Sequence, residues 1–246
     1  MFQGFSKNRS GFHGFIKSIV PEKNLDWNGY PVRFWLDPSH GLSLTGGLID
    51  AWSDKVHGLR HLPTAINQRA TLIPSDPNFG GNPSVTTIGS TSLRAEALKG
   101  TTLEIGRGFT IATVHAVANF TGRTDIFCGS PSFSPNLALG GTRVQHNGLG
   151  ICYFGDSVRL GTNYETTAPT IAVWTVERIL ANGVELPITS GSAPAQVDSW
   201  GKCDWVGGGG AGGGCIIAEI LCFPFEATLS ECFDISEKLN NKYSIY

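Results

Sequence analysis

The chain has 246 residues, enough for one large all-β domain or two small ones. Hydrophobic residues make up 41%, but charged residues only 15%, well below the usual ~25%, and there are 32 glycines, 13 prolines and one methionine. The net charge is −2 with no basic stripe along the chain, which argues against a nucleic-acid binder, and no apolar run reaches membrane-spanning length.

Few charges and many glycines point to many turns and to a surface partly covered by neighbours, as in a homo-oligomer. The N-terminus, MFQGFSKNRSGFHGF, lacks the apolar core of a secretory signal, so synthesis in a cytoplasm is expected. Residues 1–29 show no helical or strand period. Phe2, Phe5, Phe12 and Phe15 alternate there with glycines and basic residues, so an extended N-terminal arm is expected to anchor on a partner. The remainder, 30–246, is expected to form one domain.

From Pro31 onward short β-prone runs follow one another: Val32–Asp37, Leu48–Asp54, Ser84–Gly89, Phe109–Phe120, Asp125–Gly129, Gly150–Gly155 and Thr170–Ile179. Gly, Pro, Asn and Ser punctuate them, the pattern of a sandwich or barrel. In Thr110–Val117 both alternating rows carry apolar groups, so this strand is expected at the centre with both faces covered. Asn182-Gly183 between β-prone flanks predicts a type I′ hairpin. Gly214–Phe223 reads as another strand. A helix is expected from Thr228 or Ser230 to about Asn241, with Leu229, Phe233, Ser236, Leu239 and Lys242 at helical spacing.

The run WVGGGGAGGGC, from Trp205 to Cys215, has seven glycines among the eight residues Gly207–Gly214. No Lys follows as a phosphate-binding P-loop requires, and a strand rather than a helix comes next, so it reads as a loop within the domain. His57 and His61 are four apart but lack the glutamate of a zinc-binding HExxH and sit in turn-prone sequence, so no metal is expected. None of the six cysteines forms a C-x-x-C pair, and they read as buried thiols. Paired carboxylates along one strand and a G-x-S-x-G elbow are both missing, so no catalytic residues and no cofactor are assigned. Trp200 and Trp205, beside Asp204 in SWGKCDWVGGGG, offer aromatic faces next to polar groups, a pattern suited to sugar stacking; the competing reading packs both rings at the sandwich rim. Trp35, Trp52 and Trp174 are core candidates.

Several segments resemble, in order, the concanavalin A-like (LamG-type) jelly-roll domains common in bacteriophage virion proteins. These are FWLDPSHGL (Phe34–Leu42), AWSDKVHG (Ala51–Gly58), QRATL (Gln68–Leu72), NPSVTTIGSTSLR (Asn82–Arg94), FTIATVHAV and the closing block GGCIIAEILCFPFEATLSECFDISEKLNNKY. Ala70 stands where that pattern has proline, and Ile88-Gly89 where it has Phe-Asp. The resemblance implies a two-sheet antiparallel jelly-roll sandwich with a C-terminal helix. It leads to the expectation of a non-enzymatic virion component of head or tail, held to other virion proteins by the Phe-rich arm. The alternatives are a carbohydrate-binding or host receptor-binding module and, after it, a glycoside hydrolase.

Overall fold

The computed structural model describes residues 24–63, 69–87, 93–95, 109–117, 124–128, 143–147, 150–154, 159–175, 177–192, 205–207 and 214–246. The first pairing joins β1 (Leu25–Trp27) to β2 (Tyr30–Val32). Its turn, Asn28-Gly29, has φ of 52° and 91°, the two positive values a type I′ hairpin needs. Leu25–Trp27 is therefore a strand, although no strand was expected before residue 30.

Next come β3 (Phe34–Leu36), β4 (Leu42–Thr45), β5 (Leu48–Ser53), β6 (Arg60–Pro63), β7 (Thr71–Ile73), β8 (Ser84–Thr86) and β9 (Leu93–Ala95). The middle of the chain supplies β10 (Thr110–Val117), β11 (Thr124–Cys128), β12 (Arg143–Asn147), β13 (Gly150–Phe154) and β14 (Arg159–Gly161). Then follow β15 (Thr170–Trp174), β16 (Ile179–Ala181), β17 (Val184–Glu185), β18 (Ser190–Ser192), β19 (Trp205–Val206), β20 (Cys215–Phe223) and helix α1 (Leu229–Tyr243). The pairings between strands are antiparallel throughout, so the fold is the all-β sandwich expected, with one C-terminal helix.

Apart from the β1–β2 hairpin, strand pairing joins 18 strands into one network that divides into two layers, an inner and an outer sheet. In the inner sheet β20 pairs with β3 and β8 along one edge and with β10 along the other, and β15, β16 and β17 continue outward from β10. In the outer sheet the order is β4, β5, β6, β9, β19, β11, β12, β13, β14, β18. Strand β7 links them, pairing with β8 on one side and with β5 at Leu48 on the other.

Two apolar layers result. Phe34, Ile49, Trp52, Ile111, Trp174, Val206, Ile217 and Ile220 fill the space between the sheets. Ala112, Val114, Ile171, Val173, Leu221 and Phe223 face the other way and meet Ile235, Leu239 and Tyr243 of α1. Every residue of β10 is buried, as its two-sided pattern predicts.

Thr170–Ile179 is not one strand. The Thr175 hydroxyl accepts the amides of Glu177 and Arg178, building a turn that ends β15 and starts β16. This side-chain bond competes with the ladder, as threonine does at turns. Asn182-Gly183 forms the predicted hairpin turn, with φ of 47° and 73°.

The Thr228 side chain caps α1 while Glu231 reaches back to the Thr228 amide, a complete capping box. The helix buries Cys232, Ile235, Ser236, Leu239 and Tyr243, whereas Phe233 is exposed. Of the expected stripe, Ser236 and Leu239 are buried and Leu229 packs at the edge, whereas Phe233 and Lys242 stay exposed and Cys232, Ile235 and Tyr243 complete the buried face. Trp52 and Trp174 are core residues as expected, but Trp35 is half-buried and joins a polar network.

Candidate functional site

The resembling motifs bring Trp35, Asp37, Glu219 and Lys242 into one polar network. Its geometry rests on a β-bulge. Val114 pairs with Glu219 and His115 with Ile217, leaving Ala218 as the extra residue of β20. Strict alternation from the inward Ile217 would aim Glu219 between the sheets; the bulge resets it toward α1. Trp35 sits opposite Leu221, diagonal to Glu219.

The Trp35 indole donates to Glu219 Oε1 at 2.7 Å, and Lys242 Nζ donates to Oε2 at 3.1 Å. Lys242 also lies 3.6 Å from Asp37 Oδ2, which Lys55 reaches at 3.4 Å. Lys55 Nζ rests 3.6 Å from the Trp35 ring centroid. The Glu219 side chain is only 1% exposed. Burial raises its pKa, and Asp37 adds to that; contact with Lys242 opposes but does not cancel it. Burial also pushes Asp37 upward, but hydrogen bonds from the Ser39 hydroxyl and amide, with Lys242 and Lys55, hold it below the usual value. Lys242 is thus shared between two carboxylates, with Lys55 as a second cation on Asp37, and the Lys242 contacts tie the end of α1 to the sheet. Both carboxylates are largely withdrawn from solvent.

The other polar site is a cleft of about 240 Å³ on the outer sheet, lined by Asp50, Leu62, Pro63 and Arg69. A second bulge shapes it. Leu44 pairs with Ile49 and Ser43 with Ala51, so Asp50 is the extra residue of β5. Arg69 Nη1 lies 3.0 Å from Asp50 Oδ1, and the Thr45 hydroxyl donates to Oδ2 at 2.6 Å. Both charged side chains keep solvent contact, at 21% exposed for Arg69 and 30% for Asp50. A half-exposed carboxylate and guanidinium thus stand beside the apolar Leu62 and Pro63.

His61 is buried in β6. Its Nδ1 lies 3.3 Å from the Trp52 carbonyl and its ring packs edge-on against Phe34, so it is a core residue. No group of three metal-capable side chains occurs among the described residues, and no helix there is long and apolar enough to cross a membrane. Cys215, Cys222 and Cys232 are buried, and burial pushes the Cys232 thiol up to about 11.

The arm residues Phe2, Phe5, Phe12 and Phe15, and Trp200 and Asp204, lie outside the described residues. Trp205 begins β19, where its backbone pairs with Arg94, which in turn pairs with Leu62 of the cleft. The glycine run leaves the outer sheet at Val206 and enters the inner sheet at Cys215. Thr87 holds both ends: its hydroxyl donates to the Cys215 carbonyl at 3.1 Å, and its side chain packs on Gly207, which has φ +68°. A residue other than glycine at 207 would place its Cβ 2.5 Å from Thr87 Cγ2. Residues 208–213 of the run lie outside the described residues. The cleft itself escapes a linear reading, because Asp50, Leu62 and Arg69 come from separate segments.

A two-layer antiparallel β-sandwich is the class these sheets define, and solved structures share it. The ligand-binding domain of botulinum neurotoxin serotype D, solved in complex with N-acetylneuraminic acid, matches with a TM-score of 0.52 at 11% identity, over 84% of this chain and 50% of that one. A second structure of the serotype D binding domain gives 0.51 at 13% identity, over 82% and 51%. A Trypanosoma rangeli sialidase gives 0.51 at 14% identity, over 91% and 36%. The chain therefore spans about a third of the sialidase and half of the toxin domain. At these identities the likeness shows the fold alone. No family model matches the chain, and no curated protein matches it.

Proposed function

We propose that the protein is a non-catalytic carbohydrate-binding sandwich. The observation that carries this reading is the outer-sheet cleft, where the Asp50–Arg69 pair stands beside Leu62 and Pro63. Sugars offer hydroxyls that both donate and accept, next to an apolar C–H face. A carboxylate, a guanidinium and an apolar wall match that mixture. Support also comes from the shared fold, one bearer of which is a toxin domain complexed with N-acetylneuraminic acid. Binding without turnover fits the state of Asp37 and Glu219, which are paired with Lys55 and Lys242 and are largely buried.

The test is a glycan array followed by calorimetry with the full chain. Binding is expected to drop about tenfold or more in Arg69→Ala and in Asp50→Asn, each of which removes a charge-assisted hydrogen-bonding group. Absence of binding to any glycan overturns the reading. Release of reducing sugar from a bound glycan overturns its non-catalytic part.

A second reading, a phage virion component that carries this sandwich, is favoured by one observation. Trp35, Asp37, Glu219 and Lys242, all from segments that resemble the virion jelly-roll domains, meet in a single network. Its anchor would be the arm with Phe2, Phe5, Phe12 and Phe15. Virion incorporation that survives deletion of residues 1–29 overturns it.

A further inference from the structure

Main-chain register builds the outer-sheet cleft. Leu48 of β5 pairs with Thr71 of β7, and the Ile49 amide donates to the Ala70 carbonyl at 2.8 Å. The two strands run antiparallel, so Asp50 and Arg69 are the next pair along, and their contact at 3.0 Å follows from that register. The Thr45 hydroxyl donates to Asp50 Oδ2 at 2.6 Å and holds the carboxylate from its other side. Both charged groups are thus in place before a ligand arrives, which lowers the ordering cost of binding. Each also keeps hydrogen-bonding capacity. A carboxylate has about four lone-pair positions; Arg69 approaches Oδ1 and Thr45 takes one position on Oδ2. A guanidinium carries N–H donors on all of its nitrogens, and only Nη1 is turned to Asp50.

An acceptor and a donor therefore stand 3.0 Å apart in the lining of one cleft. Two gauche hydroxyls on adjacent ring carbons of a pyranose hold their oxygens about one hydrogen-bond length apart. One of them can donate to Asp50 while its neighbour accepts from Arg69. The two charges in the lining cancel, so the cleft offers no net attraction to an ionic ligand. A ligand carboxylate would reach Arg69 only by coming up against the like charge of Asp50. The volume, about 240 Å³, lies below the roughly 300–1,000 Å³ of sites for drug-sized molecules, which suits one sugar ring. Leu62 and Pro63 form the wall for the C–H face of that ring. We infer that the cleft seats one neutral pyranose ring of a glycan by a vicinal diol, one hydroxyl donating to Asp50 and the next accepting from Arg69. This inference rests on the carbohydrate-binding reading above and names the ligand class of its cleft.

The experiment titrates the full chain with dextran, maltohexaose and α1,6-mannan, neutral glycans rich in vicinal diols. The counter-probe is β1,3-glucan treated with periodate and borohydride, whose surviving rings are neutral and have no two adjacent hydroxyls. Oligogalacturonate and its methyl ester vary the charge and keep the diol. At least one of the three diol glycans is expected to bind about tenfold or more tighter than the treated β1,3-glucan, with affinity nearly independent of salt. The methyl ester is expected to bind at least as tightly as the acid. Asp50→Asn and Arg69→Lys, which keeps the charge but not the fork, are each expected to lose about tenfold toward the diol glycans. Thermal melting checks that each variant folds; the pair is partly exposed, so little stability is at stake. If a variant is unstable, the comparison of probes on the unaltered protein decides. Treated β1,3-glucan bound as tightly as the diol glycans overturns this inference and leaves the carbohydrate reading standing. So does an acid bound about tenfold tighter than its ester, with affinity that falls as salt rises. Binding confined to array glycans without adjacent free hydroxyls does the same. Diol-selective binding indifferent to both substitutions overturns the placement in this cleft. No binding to these probes or to any glycan on the array overturns both readings.

Discussion

Lys242→Met is expected to lower stability by about 2 kcal/mol. The Glu219 carboxylate is 1% exposed, and Lys242 is the cation that contacts it. Removing one partner of a buried ion pair costs about 3–5 kcal/mol, because the other charge stays buried without compensation. Lys242 is itself 37% exposed, so water already shares its ammonium, and the figure is discounted toward 2. In a chain of this length, about 2 kcal/mol lowers Tm by roughly 4–8 °C. Urea unfolding at pH 7 is the assay, read as a lower midpoint with an unchanged slope. Glu219→Gln in the Lys242→Met background is expected to recover at least 1 kcal/mol, since glutamine still accepts from Trp35 and buries no charge. A Lys242→Met variant within about 0.5 kcal/mol of the parent, or strictly additive effects in the cycle, would refute the network as described.

The pH dependence of the two carboxylates has opposite signs. Glu219 has a raised folded pKa, so it holds its proton longer when folded, and its contribution declines as pH climbs above the unfolded value. Glu219→Gln should therefore gain relative to the parent between about pH 4.5 and neutrality in urea melts; a constant difference would count against it. Asp37 has a lowered folded pKa, so its contribution is present above the unfolded value and is lost as pH falls through the folded one. Asp37→Asn should cost more at pH 7 than at pH 3, compared by the same melts. Gly207→Ala meets both positive φ and the Thr87 side chain, and about 1–3 kcal/mol of destabilisation is expected by thermal melting. Thr228→Ala loses the cap of α1 and should cost about 1 kcal/mol, visible as a lower urea midpoint.

Local signals in the sequence were reliable where local physics decides. The two-sided pattern of Thr110–Val117, the Asn182-Gly183 turn and the Thr228 cap all report geometry set within a few residues. The same Asn-Gly signal stands at Asn28-Gly29, yet the phenylalanine-rich context drew the arm boundary across it, and β1 went unrecognised. The β15–β16 break is hidden because Thr175 and Val176 are good strand residues; the turn depends on a hydroxyl choosing backbone amides over solvent. Strand register is not written locally either. The bulge at Ala218 decides that Glu219 faces α1, and its cause lies in pairing with β10.

Strand β20 runs through the middle of the inner sheet, yet it is nearly the last element of this chain to be synthesised. It pairs with β3 near the chain's start, and its Glu219 receives the indole of Trp35 across 184 residues. Until β20 emerges from the ribosome, β10 and β3 each present an unpaired edge, and the apolar faces on both sides of β10 lack cover. Closure of the sandwich must therefore wait until β20 has been made, and until then the nascent chain carries exposed strand edges. Strand order thus makes the half-made chain a client for chaperones, and chains stalled before β20 should aggregate rather than fold.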